Sequence, residues 1–405
     1  MSPPSSKAKA KYRRLFRRLL FFCGVAAFLT GFNSIGYYRQ AISGQYEILA
    51  KREPIAEVIT RTNTPPSLRE KLQLVLGIRE FAEHELHLET DGHYSSYADL
   101  GRRYVVWNVY AAPEFSLEPK KWWYPVVGSL KYRGFFSEKD AQHCAEGLAK
   151  EGYDVYIGGV DAYSTLGFFK DPVLNTFIHN GPPELAEILF HELAHQRVFA
   201  KGDTDFNEAF ATAVGEEGVR RWLARQGDAR SRANYETDLR RNNQFVALVM
   251  RACEQLKEVY GEEPAQASGA KRAAGLPPAE SPGPDRQLQT GGTLANPLVA
   301  AKRAAKAEVI ARLRADYEQL KASWGGYAGY DDWFKRPINN ARLNTIATYY
   351  TLVPAFQQLL ALDGGDLPRF YTDAKTMAKM TKDQRQEQMA ALTNSPARIV
   401  ATGAR

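Results

Sequence analysis

The sequence predicts an α+β fold in which a small mixed sheet leads into a mainly helical body, preceded by an N-terminal membrane anchor helix. Three observations support this prediction. Short β-branched and aromatic runs bounded by glycine and proline lie in the middle third of the chain. After Pro182 and Pro183, apolar residues recur almost everywhere at helical spacing. Close to the N terminus, an uncharged apolar run directly follows a cluster of basic residues.

The N-terminal segment has the layout of an export signal. Seven basic and no acidic residues occur in the first 18 positions, and the apolar run LLFFCGVAAFLTGF follows at 19–32. The run has no small-x-small cleavage site and, when extended to Ile35, is just long enough to cross a bilayer. We therefore expect residues 1–35 to be a basic cytoplasmic segment and a retained single-pass anchor in the inner membrane. The rest of the chain would lie on the periplasmic side.

The distribution of charge excludes one class of partner. The formal net charge of +7 equals the charge of the N-terminal cluster, so the remainder of the chain is near neutral. Nucleic-acid binding depends on a basic surface that neutralises phosphates, and the sequence predicts none. Beyond the apolar run, only Cys144 and Cys253 remain, which is too few to define a disulfide framework.

The elements of the body follow from local patterns. The segment SLREKLQLVLGIREFAEHEL has apolar residues at helical spacing, with Ser67 as a natural N-cap. Three strands are predicted where β-branched and aromatic residues cluster, at 103–112, 124–132 and 153–159. The prolines at 182 and 183 suit the first turn of the helix that follows them.

Residues 262–297 interrupt the helical body. They are rich in proline, glycine, alanine and serine and contain no aromatic residue, so they cannot bury enough apolar surface to become ordered. We predict a flexible insertion between a helix that ends near Tyr260 and another that runs from about Leu298 to Trp324. Residues 36–261 and 298–405 are then two parts of one domain.

The segment FHELAHQ at 190–196 carries the strongest functional signal. Ile188, His191, Glu192 and His195 fall on one stripe of a helix, so both imidazoles point the same way and can bind one divalent metal ion. A glutamate beside the open coordination position can take a proton from metal-activated water and return it to a leaving amine. The alternative is a helix with two structurally satisfied histidines and a solvated glutamate. The helical context and the flanking apolar residues favour the metal site.

A catalytic zinc site normally has three protein ligands, so a third must lie elsewhere in the chain. The metzincin pattern is excluded because Val198 and Lys201 stand where it requires glycine and histidine. The next segment, GDTDFNEAFATAVGEEGVRRWL, predicts a second helix that folds back over the first. Glu208 in its first turn is the favoured ligand, and Asp205 is the rival. In the structural alternative, these two acidic residues form a capping box and bind no metal.

These motifs resemble a known group of enzymes. HELAH at 191–195 followed by NEAFA at 207–211 is similar to the gluzincin HExxH metallopeptidases, in which the glutamate of an NExFA segment is the third zinc ligand. Three longer segments, at 107–137, 151–177 and 339–356, resemble more closely the bacterial "putative zinc aminopeptidase" family, whose members are often lipoproteins.

The resemblance implies a zincin-type helix and one Zn²⁺ ion held by His191, His195 and Glu208. It also implies Glu192 as the general base, peptides as substrates and aminopeptidase activity. In one departure from the family, Phe32 stands where its members often have a lipidated cysteine, so anchoring of this chain must depend on the apolar helix.

Peptide hydrolysis also needs a hydrogen-bond donor for the developing oxyanion and a means of holding the substrate. The sequence offers several donors without choosing among them: Tyr349, Tyr350, Arg342 and His179. An aminopeptidase requires a carboxylate for the free α-amine, for which Glu114 and Glu118 are candidates. The segment AYSTLGFF at 162–169 is placed where an edge strand could pair with an extended peptide.

The sequence therefore predicts a membrane-anchored zinc peptidase that faces outward from the inner membrane and, by resemblance, is an aminopeptidase. Two alternatives stay open. One is a zinc endopeptidase that acts on envelope proteins, and the other is a non-catalytic zinc-bound envelope protein that serves as a binding or scaffold protein. An intact Glu192 argues against the second alternative, because a purely structural site has no use for a general base.

Overall fold

The computed structural model of the protein describes residues 35–124, 127–162, 164–165, 167–261 and 297–394. Residues 1–34 of the predicted N-terminal segment and residues 262–296 of the predicted insertion lie outside these ranges. Among the described residues, no helix combines the length and the apolar character needed to cross a bilayer. The anchor and the insertion stay predictions.

Most of the described chain is helical, as predicted. Its thirteen α-helices are α1 (Ile35–Ala50), α2 (Ile55–Thr60), α3 (Pro66–His84), α4 (Glu138–Lys150), α5 (Pro182–Arg197), α6 (Thr204–Gln226), α7 (Ala229–Tyr260), α8 (Pro297–Ser323), α9 (Asp331–Lys335), α10 (Asn340–Tyr350), α11 (Val353–Leu362), α12 (Leu367–Ala378) and α13 (Lys382–Asn394).

The α+β class is confirmed, but the described residues form three small sheets where the sequence predicted one. The eight strands are β1 (Glu53–Pro54), β2 (Ser96–Ala98), β3 (Val106–Pro113), β4 (Trp122–Tyr124), β5 (Gly128–Leu130), β6 (Arg133–Phe135), β7 (Tyr153–Val160) and β8 (Val173–Leu174). Strands β1, β2 and β8 form a mixed sheet, and β6, β3 and β7 form an antiparallel one. Strands β4 and β5 form a separate antiparallel pair.

The single strand predicted at 124–132 is wrong, because the chain reverses direction there. Tyr124 at the end of β4 pairs with Gly128 at the start of β5. Gly128 has a φ of 84°, in the left-handed region that glycine adopts without steric cost. A Cβ atom on Gly128 would also lie 3.0 Å from the Cα atom of Gly202. The glycine therefore allows the hairpin to contact the turn between α5 and α6.

The central strand of the antiparallel sheet separates two environments. Strand β3 is buried along nearly its whole length. Trp107, Val109 and Ala111 belong to an apolar cluster that also includes residues of α4. Successive side chains of a strand point to opposite faces, so Asn108 and Tyr110 point the other way. Tyr110 lines a cleft with residues of α5 and α10, and this face of the sheet thus forms one wall of the candidate site.

The helix boundaries mostly agree with the sequence predictions. Helix α3 is an exception, because it begins at Pro66 and has Pro65, rather than Ser67, at the N-cap position with no side-chain hydrogen bond. Proline suits the first turn, where the amide has no partner within the helix. Helix α7 ends at Tyr260 and α8 begins at Pro297, close to the predicted ends on both sides of the insertion.

Helices α5 and α6 form a closely packed hairpin. Glycines of α6 permit the close approach of the two backbones. A Cβ atom on Gly218 would lie 2.6 Å from a ring carbon of Phe190 and 2.9 Å from Leu86 Cδ1. One turn earlier, a Cβ atom on Gly215 would lie 3.3 Å from the carbonyl oxygen of Glu187. The two helices can therefore lie this close only because Gly215 and Gly218 have no side chains.

We predict that Gly218→Ala destabilises the protein, because the added methyl group has no space between α5 and α6. Overpacking of this kind costs about 1–3 kcal/mol, which exceeds the gain of up to about 1 kcal/mol from the better helix propensity of alanine. Gly77→Ala is the matched control, since a Cβ atom on this exposed glycine of α3 meets nothing within 4 Å. Urea unfolding of both variants measures the difference. A Gly218→Ala variant as stable as the wild type would contradict the account of close packing.

Candidate metal centre

Two histidines on α5 bring their ring nitrogens together. The helix begins at Pro182, and one turn separates His191 from His195. Their Nε2 atoms lie 3.2 Å apart, and their rings meet edge to face with centroids 4.8 Å apart. The two Nε2 atoms thus lie on the same side of α5 and close to each other, as the stripe in the sequence predicted.

The third donor atom comes from α6. The Oε2 atom of Glu208 lies 3.4 Å from His191 Nε2 and 3.6 Å from His195 Nε2. Among the described residues, these three side chains form a group of possible metal ligands whose donor atoms all lie within 4.8 Å of one another. Donors held at 2.0–2.2 Å from one tetrahedral ion are separated by about 3.3–3.6 Å. The three residues therefore fit a single divalent ion in both chemistry and spacing.

The turn between the two helices is fixed by side-chain hydrogen bonds. Asn207 uses both ends of its amide on one residue: its Oδ1 atom accepts from Ala200 N at 2.7 Å, and its Nδ2 atom donates to Ala200 O at 2.9 Å. Asp203 accepts a hydrogen bond from Arg385 Nε of α13 at 2.9 Å, and both side chains are buried. These contacts hold the start of α6, and with it Glu208, in register with α5. Neither Asn207 nor Asp203 has a role predicted from the sequence, although Asn207 directly precedes the candidate ligand Glu208.

The capping-box alternative for Glu208 is wrong. Helix α6 begins at Thr204, and Asp203 is its N-cap residue, accepting a hydrogen bond from Phe206 N at 3.4 Å. Glu208 is therefore the fifth residue of the helix and lies beyond the first turn predicted for it. The rival ligand, Asp205, is also engaged elsewhere, because both of its carboxylate oxygens lie 2.6 Å from Lys131 Nζ.

The ionisation of the three ligands reflects burial and mutual charge. Burial opposes ionisation of Glu208, but the charges and hydrogen bonds of His195 and His191 outweigh it and lower the pKa of Glu208 to about 2. Burial lowers the pKa of His191. For His195, burial acts in the same direction, but the charge of Glu208 outweighs it and raises the pKa. A deprotonated carboxylate is thus in place among two imidazoles.

Glu192 lies beside the ligands but is ionised less readily. Burial raises its pKa to about 8, and the neighbouring charge of Glu208 acts in the same direction. A divalent cation favours the charged form of a nearby carboxylate, so ion binding would lower this pKa. The two glutamates of the site thus differ in role: Glu208 contacts the histidines directly, while Glu192 forms part of the cavity wall.

Two cavities meet at this centre. The first is an open cleft of about 520 Å³ whose walls carry three carboxylates besides Glu192, namely Asp161, Glu184 and Glu187. Burial raises the pKa of Asp161 and of Glu187. The second cavity has a volume of about 350 Å³ and is lined mainly by apolar and aromatic residues. Both cavities are lined by the same five residues where they meet: Val160, Ala162, His191, Glu192 and Tyr349.

The two tyrosines proposed as oxyanion donors have different positions. Tyr349 lines both cavities, and its ring stacks on His191 with centroids 6.4 Å apart. Burial raises the pKa of Tyr349 well above its usual value, so the hydroxyl stays protonated and can donate. Tyr350 lines neither cavity. It packs against the main core, and its hydroxyl interacts with Asn242.

The other candidates from the sequence lie outside the two cavities. Glu114, proposed to bind the substrate amine, is paired with Arg303 of α8 at 2.5 and 2.8 Å, so it is not available for an ammonium group. Glu118 is exposed and paired with Lys121. Arg342 is buried, donates to Pro337 O at 3.1 Å and lies over the ring of Trp333. His179 is exposed.

The segment at 162–169 does not form a strand in its described residues. Thr165 instead turns back, donating its hydroxyl to Asp171 Oδ1 at 2.7 Å and accepting from Phe169 N at 3.1 Å. The edge strand beside the site is β7, whose Gly158, Gly159 and Val160 line the cleft. The sequence did not predict the acidic wall, although helical spacing places Glu187 one turn before His191.

Comparison with known protein families shows a match over most of the chain. A family model described as "Putative aminopeptidase" matches residues 36–276 and 295–389, which is more than four-fifths of the chain. No curated protein and no solved structure matches the chain.

We predict that Glu208→Ala lowers the affinity for a divalent ion by more than about a hundredfold, because the loss of even an indirect partner of a metal ligand costs about 10–100-fold. Asp205→Ala should retain the affinity, since this side chain pairs with Lys131. Titration of the metal-depleted proteins with zinc against a chromophoric chelator measures both. The opposite result would transfer the role of third ligand to Asp205.

Proposed function

The chain belongs to the family described as "Putative aminopeptidase", and from that premise we propose that it is a zinc-dependent aminopeptidase. Membership supports a peptidase with peptide substrates. The convergence of His191 Nε2, His195 Nε2 and Glu208 Oε2 at the junction of two cavities carries the proposal further, to a metal-dependent reaction. Two imidazoles and one carboxylate are a ligand set typical of catalytic zinc, which leaves a coordination position for the reaction.

Zinc, when bound by these three residues, would act as a Lewis acid and allow water to be a nucleophile at neutral pH. The remaining chemistry belongs to the side chains. Glu192, at the junction of the two cavities, accepts the proton of the attacking water and returns it to the nitrogen of the leaving amine. Because its pKa is set by burial rather than by a hydrogen-bonding partner, this carboxylate suits proton transfer near neutral pH.

Tyr349 is the best-placed donor for the developing oxyanion. Its hydroxyl is protonated and its ring is held against His191, so the donor is positioned beside the candidate metal centre. The rings of Tyr110 and Tyr132 line the cavities on the side of the sheet, and the side chain of Tyr110 is hydrogen-bonded to that of Tyr349.

The open cleft suits the backbone and amino terminus of a peptide. Strand β7 is the outermost strand of its sheet, so one edge of its backbone is available for pairing with an extended chain. Gly158 has no side chain to obstruct this approach. The carboxylates of Asp161, Glu184 and Glu187 in the same cleft favour a cation such as a free α-ammonium group. This acidic wall favours an aminopeptidase over an endopeptidase.

We also propose that the enzyme is anchored by its N-terminal residues and faces outward from the inner membrane. The proposal depends on the basic cluster and the apolar run that precede the described chain. Expression of the full chain, followed by protease protection in spheroplasts, tests it. Resistance of the catalytic domain to externally added protease would contradict the proposed orientation.

We predict that the zinc-loaded protein cleaves peptides with a free amino terminus and not their N-acetylated forms. Glu192→Gln should lower kcat by at least about 100-fold, the contribution of a general base, while the zinc content stays unchanged. Mass spectrometry of a peptide pool prepared in both forms measures the cleavage. Cleavage of both forms would establish an endopeptidase, and cleavage of neither would favour the binding or scaffold alternative.

We predict that Tyr349→Phe lowers kcat by about 100-fold or more with little effect on KM, because an oxyanion donor acts mainly in the transition state. Tyr350→Phe is a matched control, since it removes the same atom from the adjacent residue of α10, which lines neither cavity. Its rate should stay within about threefold of the wild type. Equal losses in the two variants would remove Tyr349 from the mechanism.

A further inference from the structure

The second cavity at the metal centre differs in character from the acidic cleft. Away from the candidate metal centre, its described wall is made mainly of aromatic and apolar side chains, which come from α1, from β4 and β5 and from the segments after β6 and α5: Tyr37, Ala41, Tyr124, Leu130, Phe136 and Phe199. Among the described lining residues, the carboxyl and imidazole groups are those of the candidate metal centre and of Glu192. A charged group in the far part of this cavity would lose its hydration without gaining a partner.

Several polar groups of the wall are already engaged in hydrogen bonds, whereas the buried hydroxyl of Thr204 has no partner among the described residues. The hydroxyl groups of Tyr37 and Tyr124 are 3.3 Å apart and share a hydrogen bond. The amide of Asn207 is used entirely by Ala200. The wall therefore presents mainly ring faces and methyl groups to the cavity, which are surfaces that an uncharged apolar group contacts without loss of hydrogen bonds.

The cavity is kept open by small residues. A Cβ atom on Gly134 would lie 3.1 Å from Asn108 Oδ1 and 3.2 Å from Val106 Cγ1, on the face of the sheet that lines the cavity. Ala41 presents only a methyl group from α1. The resulting volume of about 350 Å³ exceeds the roughly 150 Å³ of a dry protein cavity that accommodates benzene. An aromatic side chain and part of its backbone can therefore fit.

Helix α1 is fixed in place as part of this wall. The Phe136 amide donates to Gln40 Oε1 at 2.8 Å, and the ring of Phe136 occupies the space beside Gly44. Tyr37 also packs edge to face on Phe135, with ring centroids 5.5 Å apart. The cavity is thus preformed, with a wall of packed and hydrogen-bonded elements.

We propose that this cavity is the side-chain subsite of the enzyme and selects a large, uncharged, apolar residue, such as phenylalanine, leucine or methionine, next to the scissile bond. The inference rests on the proposed function. We assign a substrate side chain to this cavity because the cavity is continuous with the site of His191, His195 and Glu192. It adds a substrate class that family membership does not supply.

The test compares full-length wild type with Ala41→Trp, which places a large ring in the cavity. Ser43→Trp, at an exposed position of the same helix, is the matched control. For peptides that differ only in the selected residue, kcat/KM for phenylalanine and leucine should exceed that for alanine and lysine by at least about tenfold. Ala41→Trp should reduce the ratio of phenylalanine to alanine by at least about tenfold, and Ser43→Trp should leave it unchanged. Equal rates for phenylalanine and lysine, or an unchanged ratio in Ala41→Trp, would overturn the proposal.

A binding measurement separates this proposal from the proposed function. Calorimetric titration with phenylalaninamide, alaninamide and lysinamide requires no hydrolysis. If no peptide is cleaved but phenylalaninamide binds at least about tenfold more tightly than the other two, and Ala41→Trp removes the difference, the peptidase assignment fails and the apolar subsite stands. Equal binding of the three amides would overturn the subsite whether or not peptides are cleaved.

Discussion

The close packing of α5 against α6 is the constraint on which the rest of the structure depends. Two of the candidate ligands come from one helix and the third from the other, so the three donor atoms meet only if the helix backbones approach closely and in one register. Gly215 and Gly218 allow the approach. Asn207 and the Asp203–Arg385 pair fix the register at the turn, and the buried guanidinium of α13 ties the C-terminal helices to the centre. The outer elements thus stabilise a geometry that two helices alone would hold poorly.

The centre concentrates ionisable groups that a stable core would avoid. Glu192 and Glu208 are buried within one site, and burial acts against ionisation in both. Contact with the histidines makes Glu208 a stable anion, whereas Glu192, without such contacts, has a pKa of about 8. Ionising Glu192 beside Glu208 would place two like charges in one buried site, which is costly unless a divalent cation compensates them. The arrangement therefore makes physical sense as a metal-binding site and is difficult to explain as a structural one.

The sequence predicts those features that depend on local periodicity. Helical spacing fixes the direction of His191 and His195. Together with the β-branched runs and the changes in composition, it also gives the class of the fold and the approximate ends of the long helices. Features that depend on how whole helices and strands rotate and pack against one another could not be predicted from the sequence. Tyr349 and Tyr350 are adjacent, and only the rotation of α10 decides that the first lines the cavities. Likewise, the sequence could not show that Glu114, the predicted partner of the substrate amine, is paired with Arg303 of α8, a helix remote in sequence. The hairpin at Gly128 divides a strand whose composition favoured continuity.

The central claim is that one metal ion binds between α5 and α6 at His191, His195 and Glu208. The most direct test is a crystal structure of the zinc-loaded protein with anomalous difference maps from data collected above and below the zinc absorption edge. The account predicts one strong peak, present only above the edge, within about 2.0–2.2 Å of the Nε2 atoms of both histidines and of a carboxylate oxygen of Glu208. A map without a peak there, or with its zinc peak at other residues, would contradict it.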